Sequence, residues 1–361
     1  MKNFIKLRIL CLTFIFGFSA PVVFGQIDVG DFLDGGVEDA QLLFENYLSP
    51  VGKGLGNSLN AGWYNTAKPH DLFGFDLTLT INAVLIPSSD KTFKINISDF
   101  QTLQLEDPSK NEFQTISGGD SEASKLALMG DIPGIGEMKI REFDAPKGIN
   151  LIAVPMPTLQ LGFGLPFGTE IMGRFFPSTE IGDLTTGLWG IGLKHNVLQY
   201  VPGEKILPID VSLMFGYTNL KSEFEIKYQG DPNQAVDPDQ KMELDVKSWS
   251  VNALISKKLA FVTFYGGLGY SSANTDVSLL GDYAIPNGNV QMENGLPVII
   301  NGAPVPLYDN IADPIKFKYE DTGVRFNAGI RLKFLVVVAF HVDYTYANYS
   351  MFTAGFGINF R

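Results

Sequence analysis

The feature that most constrains this chain is a strict alternation over its last stretch, Gly323 to Arg361. Val324, Phe326, Ala328, Ile330 and Leu332 alternate with Arg325, Asn327, Gly329, Arg331 and Lys333. That is period 2, the pattern of a strand with one apolar and one polar face. After a break at Phe334-Leu335, Val338, Phe340, Val342, Tyr344 and Tyr346 alternate with Ala339, His341, Asp343 and Thr345. A third run sets Phe352, Ala354, Phe356, Ile358 and Phe360 against Thr353, Gly355, Gly357, Asn359 and Arg361. The sequence stops inside this pattern, which suits a sheet that closes on itself, because closure removes the exposed edge. With tyrosines near the strand ends, the expectation is a transmembrane β-barrel whose apolar face meets lipid.

The first residues agree with an exported chain. Lys2, Lys6 and Arg8 flank an apolar run from Ile9 to Phe18, and Val23-Phe24-Gly25 offers a small-residue cleavage site before Gln26. A run this short, followed by Ala20-Pro21, reads as a signal peptide over 1–25 and not as a spanning helix. Cys11, the single cysteine, lies inside it, so the mature chain is expected to have no disulfide and no thiol for a lipid. Removing three of the 27 basic residues leaves 24 against 39 acidic ones and moves the formal charge from −12 to −15. An acidic exported chain is a poor binder of nucleic acid. No later stretch approaches the roughly 20 apolar residues of a membrane helix, so any crossing must be made by strands. A pair of soluble β-sandwiches is the alternative fold.

An arm precedes the strands, over 26–54. Val37, Ala40, Phe44, Tyr47 and Leu48 recur at helical spacing, Asp34 can cap the start, and Ser49-Pro50 is expected to end the helix. Such a helix can plug the barrel mouth or lie across the periplasmic rim. Over 55–361 the sequence divides into about twelve strand-like runs, near 55–64, 73–86, 91–98, 151–164, 169–176, 184–197, 210–228, 242–256, 260–272, 316–333, 336–347 and 351–361. The predicted fold is therefore all-β, a closed antiparallel barrel of 10–14 strands. Short connections alternate with long ones at 99–150, 229–241 and 272–315, as short periplasmic turns and long outer loops do, with both termini inside. Asn294-Gly295 and Asn301-Gly302 in the last loop mark hairpin turns, either of an excursion above the membrane or of two more strands. Leu126 to Ile135 is apolar and is expected to fold over or into the pore. Val211 to Tyr217 is apolar at odd positions but Phe224 to Tyr228 at even ones, and Met242 to Val246 against Trp249 to Ile255 shifts likewise. Two shifts at matching heights of one hairpin predict β-bulges.

Little in the sequence carries chemistry. Gly52-Lys53-Gly54-Leu55-Gly56 has neither phosphate-loop spacing, and a turn is the better account. Three histidines and no cysteine ligands leave a metal site dependent on distant residues converging, and no cofactor is expected. His70 falls in the expected first outer loop, and His195 at a strand end near the periplasmic rim. His341 and Asp343 share a strand face, as an acid–base pair would, with Ser350 not far on. A polar lumen holds such residues anyway, so the expectation is no enzyme. The acidic stretch Asp231 to Asp239 lacks the calcium-loop spacing and reads as a solvated loop. The best functional cluster is Arg325, Asn327, Arg331 and Lys333 facing His341 and Asp343, lumen residues that either tune passage or hold the inner wall together.

An exported chain with a short arm, twelve to fourteen strands and an aromatic final strand resembles outer-membrane porin-like barrels. Within these it looks most like the fatty-acid and hydrophobic-compound transporter family, which has an N-terminal plug before fourteen strands. Ala61-Gly62-Trp63-Tyr64-Asn65-Thr66-Ala67 is similar to an Asn-Pro-Ala segment of that family, with Thr66 in the proline's place. An uncharacterised outer-membrane family fits the same features. The resemblance implies passive transport of a small apolar or amphiphilic ligand, membrane lipid around the barrel, and assembly machinery that reads the C-terminal strand. The alternative is a structural or partner-binding barrel with a closed lumen.

Overall fold

Ten antiparallel strands close into one barrel in the computed structural model. It describes residues 30–119, 124–132, 134–334 and 337–360, so the expected signal peptide lies outside the described residues. In chain order the strands are β1 Phe75–Leu85, β2 Ala153–Leu165, β3 Thr169–Ile181, β4 Leu184–Asn196, β5 Asp210–Glu225, β6 Lys241–Leu259, β7 Val262–Leu280, β8 Ile315–Phe334, β9 Val338–Tyr346 and β10 Met351–Phe360. Each pairs with the next, and β10 closes on β1, from Phe75 opposite Phe360 to Val84 opposite Met351. Two of the twelve expected strands are not in the barrel. Residues 55–64 hold the end of a helix and the coil after it, and 91–98 contain only Thr92–Lys94, a short strand paired with Glu112–Gln114 outside the wall.

The three longest connections, 86–152, 226–240 and 281–314, all leave one end of the barrel, taken as the outer end, and build a cap there. Residues 86–152 carry a three-stranded sheet of Leu103–Leu105, Lys125–Ile132 and Gly136–Asp144. The apolar Leu126 to Ile135 stretch is thus mostly a cap strand, with Leu126 and Leu128 fully buried. Residues 281–314 form the excursion above the barrel, in which Asp282–Val290 pairs with Pro306–Ala312. Asn294, Gly295, Asn301 and Gly302 all take positive φ, which two-residue hairpin turns require. Among the described residues no strand pairing joins this excursion to the barrel sheet; the Tyr283 hydroxyl donates to the carbonyl of Leu280, the last residue of β7, at 3.1 Å.

The two apolar shifts in β5 and β6 are not bulges. Pairing runs without a slip from Asp210 opposite Ser256 to Glu225 opposite Lys241. Even-numbered residues of β6 face inward over nearly the whole strand, from Met242 to Ser256. What changes is the medium on each side. Below Trp249 the outward residues are Val251, Ala253 and Ile255, and the inward ones Ser250 and Asn252. Above it the outward residues are Glu243, Asp245 and Lys247, and the inward ones Met242, Leu244 and Val246. β8 inverts in the same way, with Phe317 and Tyr319 inside above, and Arg325 and Arg331 inside below. An aromatic ring marks the boundary. Phe175 is opposite Trp189, and Trp189–Tyr217 and Trp249–Tyr270 lie 5.5 and 6.0 Å apart across neighbouring strands. From Trp249 to Leu259, at about 3.3 Å per residue and a tilt near 40°, the apolar band is roughly 25 Å tall. That is the architecture of an outer-membrane barrel, with the four long strands β5 to β8 standing above the lipid.

Candidate functional site

The lumen is filled by the arm. A short helix α1, Gly30–Leu33, leads into α2, Val37–Leu59, which descends from the outer cap into the barrel. α2 lies inside the barrel and not across the periplasmic rim. The described chain therefore begins at the outer end, although β1 starts and β10 ends at the other. Pro50 was expected to end the helix but sits inside it. Proline disrupts the turn before it, and the carbonyls there bond outward, Glu45 from the Tyr319 hydroxyl at 2.5 Å and Tyr47 from the Ile116 amide at 3.0 Å. Gly52, Gly54 and Gly56 form no turn. A Cβ on Gly52 would lie 2.1 Å from the Tyr319 ring, one on Gly56 2.6 Å from Ala273, and one on Gly54 2.9 Å from Val154 on the opposite side. Glycine lets the helix touch both walls at once.

At mid-lumen the helix ends in three carbonyls held by two buried guanidiniums. Arg174 of β3 donates to Leu59 O at 2.9 Å and Ala61 O at 2.7 Å, and Arg325 of β8 donates to Asn60 O at 2.7 Å. Cations at a helix C-terminus complement its dipole and its orphan carbonyls. Arg174 also donates its Nε–H to Gln160 Oε1 at 3.0 Å and lies 3.7 Å over the Trp63 ring. Trp63 needs Gly192 and Gly216 on the wall, where a Cβ would lie within 2.8 Å of its ring.

Residues 60–72 continue to the barrel floor. Ala67 donates its N–H to Ser256 and accepts from the Ser212 hydroxyl at 2.6 Å. His70, expected in an outer loop, is instead buried at the floor, because the chain must cross the lumen before β1 begins. Its Nδ1 is 2.8 Å from Glu170 Oε2, which also meets Lys194 Nζ at 3.0 Å, and Nε2 meets Asn359 at 2.8 Å. Atoms of His70, Asp76 and Glu170 lie within 4.8 Å of one another, a metal-like triad. The Lys194 ammonium already supplies a cation there. The cluster fastens the plug to the wall.

The six residues singled out from sequence all face the lumen. Asp343 receives Tyr265 OH and Asn327 Nδ2, both at 2.7 Å, and Asn327 also reaches Thr345 at 2.9 Å. Lys333 donates to Asn359 at 3.2 Å. Arg331 is opposite His341, and both are buried. His341 lies against Gly355, and among the described residues neither ring nitrogen has a hydrogen-bond partner. Ser350 is in the outer turn, its carbonyl bonded to Leu85. His341, Asp343 and Ser350 therefore form no relay. Arg325 belongs with Arg174 and not with the floor. Sequence reasoning missed Arg174, Trp63 and the His70–Glu170–Lys194 cluster. Arg174 had a signal, a lone cation in Ile171-Met172-Gly173-Arg174-Phe175-Phe176.

A model of a family of unknown function, DUF6588, matches residues 1–360. The chain belongs to that family. No curated protein matches the sequence. Among solved structures, Ail of Yersinia pestis with a heparin analogue is 8% identical, covering 80% of this chain and 99% of its own at a TM-score of 0.27. The translocator domain of NalP from Neisseria meningitidis is 9% identical, over 90% and 98%, at 0.28. The AIDA-I transport unit from Escherichia coli is 10% identical, over 90% and 99%, at 0.31. Overlaps this loose assign no activity. They give no support to the fatty-acid transporter resemblance, and the barrel has ten strands where that family has fourteen.

Proposed function

We propose that this protein is a barrel of the Gram-negative outer membrane, shut along its lumen, whose working part is the outer cap, a surface for recognition. The observation that carries this is one continuous apolar core. It joins Phe44, Leu48 and Val51 of α2 to Val246, Val277 and Phe317 of the upper wall, and on to Leu103, Leu126 and Leu128 of the cap. Moving α2 aside would expose many large side chains at about 1.5–3 kcal/mol each. That total exceeds the ~5–15 kcal/mol that holds an ordinary domain. Catalysis has no place in this reading, since the lumen residues bond each other and the plug. Insertion through the C-terminal strand by assembly machinery, and lipid around the apolar band, belong to it.

Passage of small apolar or amphiphilic molecules is the second reading. The lower plug favours it, because residues 60–72 meet the wall through polar contacts that water can replace and through one small apolar cluster, Trp63, Tyr64 and Ala67 against Met172, Met214, Leu254 and Tyr265. Flux through liposomes separates the two. Thr66 Oγ1 and Ser256 Oγ are 3.2 Å apart, so the double variant Thr66→Cys, Ser256→Cys can lock the lower plug to the wall by oxidation. The expected result is no flux of glucose, glycine or octanoate in the reduced or the oxidised state. Flux in the reduced state that oxidation stops would replace recognition by passage.

A further inference from the structure

The cap carries an open groove of about 890 Å³ between its three-stranded sheet and the 281–314 excursion. Its volume is that of a small-molecule site. Its rim is rich in groups that match hydroxyls. Gln101, Gln104, Asn287 and Asn289 offer amides, which both donate and accept, and Asp131 and Glu137 offer carboxylates. Ile97, Phe100 and Met129 supply an apolar part of the lining for a ring's C–H face. No lysine or arginine lines it among the described residues, so an anion would meet two carboxylates and no counter-charge.

The groove is also built in advance. Asp39, 1% exposed in the first turn of α2, accepts from the amides of Gln101, Thr102 and Leu103 at 2.8–2.9 Å and from the Thr102 hydroxyl at 2.9 Å. That carboxylate fixes one wall to the plug. At the other wall Gly130 touches Gly288, where a Cβ would lie 2.0 Å from the Gly288 carbonyl. Asn287 is held by Asp309 at 3.0 Å, and Glu137 Oε1 by Gln104 at 2.7 Å, which leaves Glu137 Oε2 for a ligand. A site fixed before binding loses little ordering entropy when a ligand arrives.

We propose that this groove binds a neutral saccharide, its hydroxyls taken by the amides and carboxylates of the rim. The inference rests on the recognition reading and gives it a ligand class. Hydroxyls both donate and accept, so they use amides and carboxylates together. A protonated polyamine only donates, so it would use the carboxylates and amide oxygens and leave the amide N–H groups without a partner.

The test is titration calorimetry on the full chain in nanodiscs, with maltohexaose and chitohexaose as neutral probes and spermine as the cationic one. At least one hexasaccharide should bind, and the double variant Gln101→Ala, Asn289→Ala should weaken it tenfold or more. The variant Asp131→Asn, Glu137→Gln keeps acceptors without charge and should stay within threefold of the parent. Heat-modifiable gel migration checks that each variant is folded. Binding of spermine alone, binding of neither hexasaccharide, or binding indifferent to the amide variant would each overturn the proposal. None of these touches the recognition reading, which stands or falls on liposome flux.

Discussion

Above and below the Trp189–Trp249 ring, one barrel wall holds two opposite kinds of interior. Above it, Val246, Val277 and Phe317 point inward on an apolar helix while Glu243, Asp245 and Lys247 stand outside on the neighbouring wall. Below it, Ser250, Arg325 and Asp343 point inward while Val251, Phe326 and Val342 stand outside. Along β5 to β8 neither the pleat nor the register changes between them, whereas β3 slips against β4 between Phe176 and Thr179. The difference teaches that the apolar face of a strand reports its solvent and not its direction. Where lipid surrounds the wall, the outside is apolar and the plug is held mainly by hydrogen bonds and buried charge, with one small apolar cluster around Trp63. Where water surrounds it, hydrophobic burial moves inside, and the plug becomes core. The upper half resembles a soluble domain and the lower half a membrane protein.

The largest expected effect comes from removing what both halves share, the closed ring of strands. β10 pairs with β9 on one side and β1 on the other. Truncation at Ser350 would open two edges, and each unpaired backbone group in lipid costs several kcal/mol. The truncated chain should give no membrane-inserted, heat-modifiable species on a gel. A compact inserted species would mean that the ring does not need β10.

A paired exchange across the boundary is expected to be smaller and asymmetric. Val251 and Lys247 both point outward on β6, one turn of the pleat below Trp249 and one above. Val251→Lys puts a charge against lipid, at about 2–4 kcal/mol near the midplane and less toward the interface. Lys247→Val changes a water-facing position and should stay within about 0.5 kcal/mol. Urea unfolding in lipid vesicles measures both. Equal costs would place the boundary elsewhere.

The barrel was legible because a strand's signal is local. The ten wall strands fall at expected positions, and the six lumen residues from Arg325 to Asp343 face inward as the alternation of β8 and β9 requires. The helix beyond Pro50 was not legible. Proline and three glycines break helices in isolation, and only the nearness of Tyr319, Ala273 and Val154 explains them. The shifts in β5 and β6 read as bulges because sequence shows which face is apolar but not what lies against it. Both Arg174 over Trp63 and the His70–Glu170–Lys194 cluster join residues about a hundred or more positions apart, or across strands, once the plug has threaded the lumen. No local pattern encodes that crossing. The cap groove is hidden for the same reason, since its walls come from two loops.

The smallest effect tests the soluble character of the upper half at its rim. Glu142, in the cap strand Gly136–Asp144, accepts from Lys139 at 2.7 Å and Lys125 at 2.9 Å. These hydrogen bonds, with the attraction of both ammonium groups, hold its carboxyl down at about 2, against an ordinary 4.5. A carboxyl lowered by folding stabilises the hairpin fully above about 4.5, and that contribution fades as pH falls toward 2. Nothing should change between pH 8 and pH 5. Because the group is solvent-exposed, salt screens the pairing and the gain is small. Amide exchange of the 125–144 hairpin should quicken slightly from pH 5 to pH 2.5, once corrected for intrinsic rates. Glu142→Gln should remove that dependence, while exchange in the lower wall strands stays unchanged over the same range. A hairpin indifferent to both pH and the substitution would show that the two lysines do not hold it, and would leave its order to the apolar face of Leu126 and Leu128 alone.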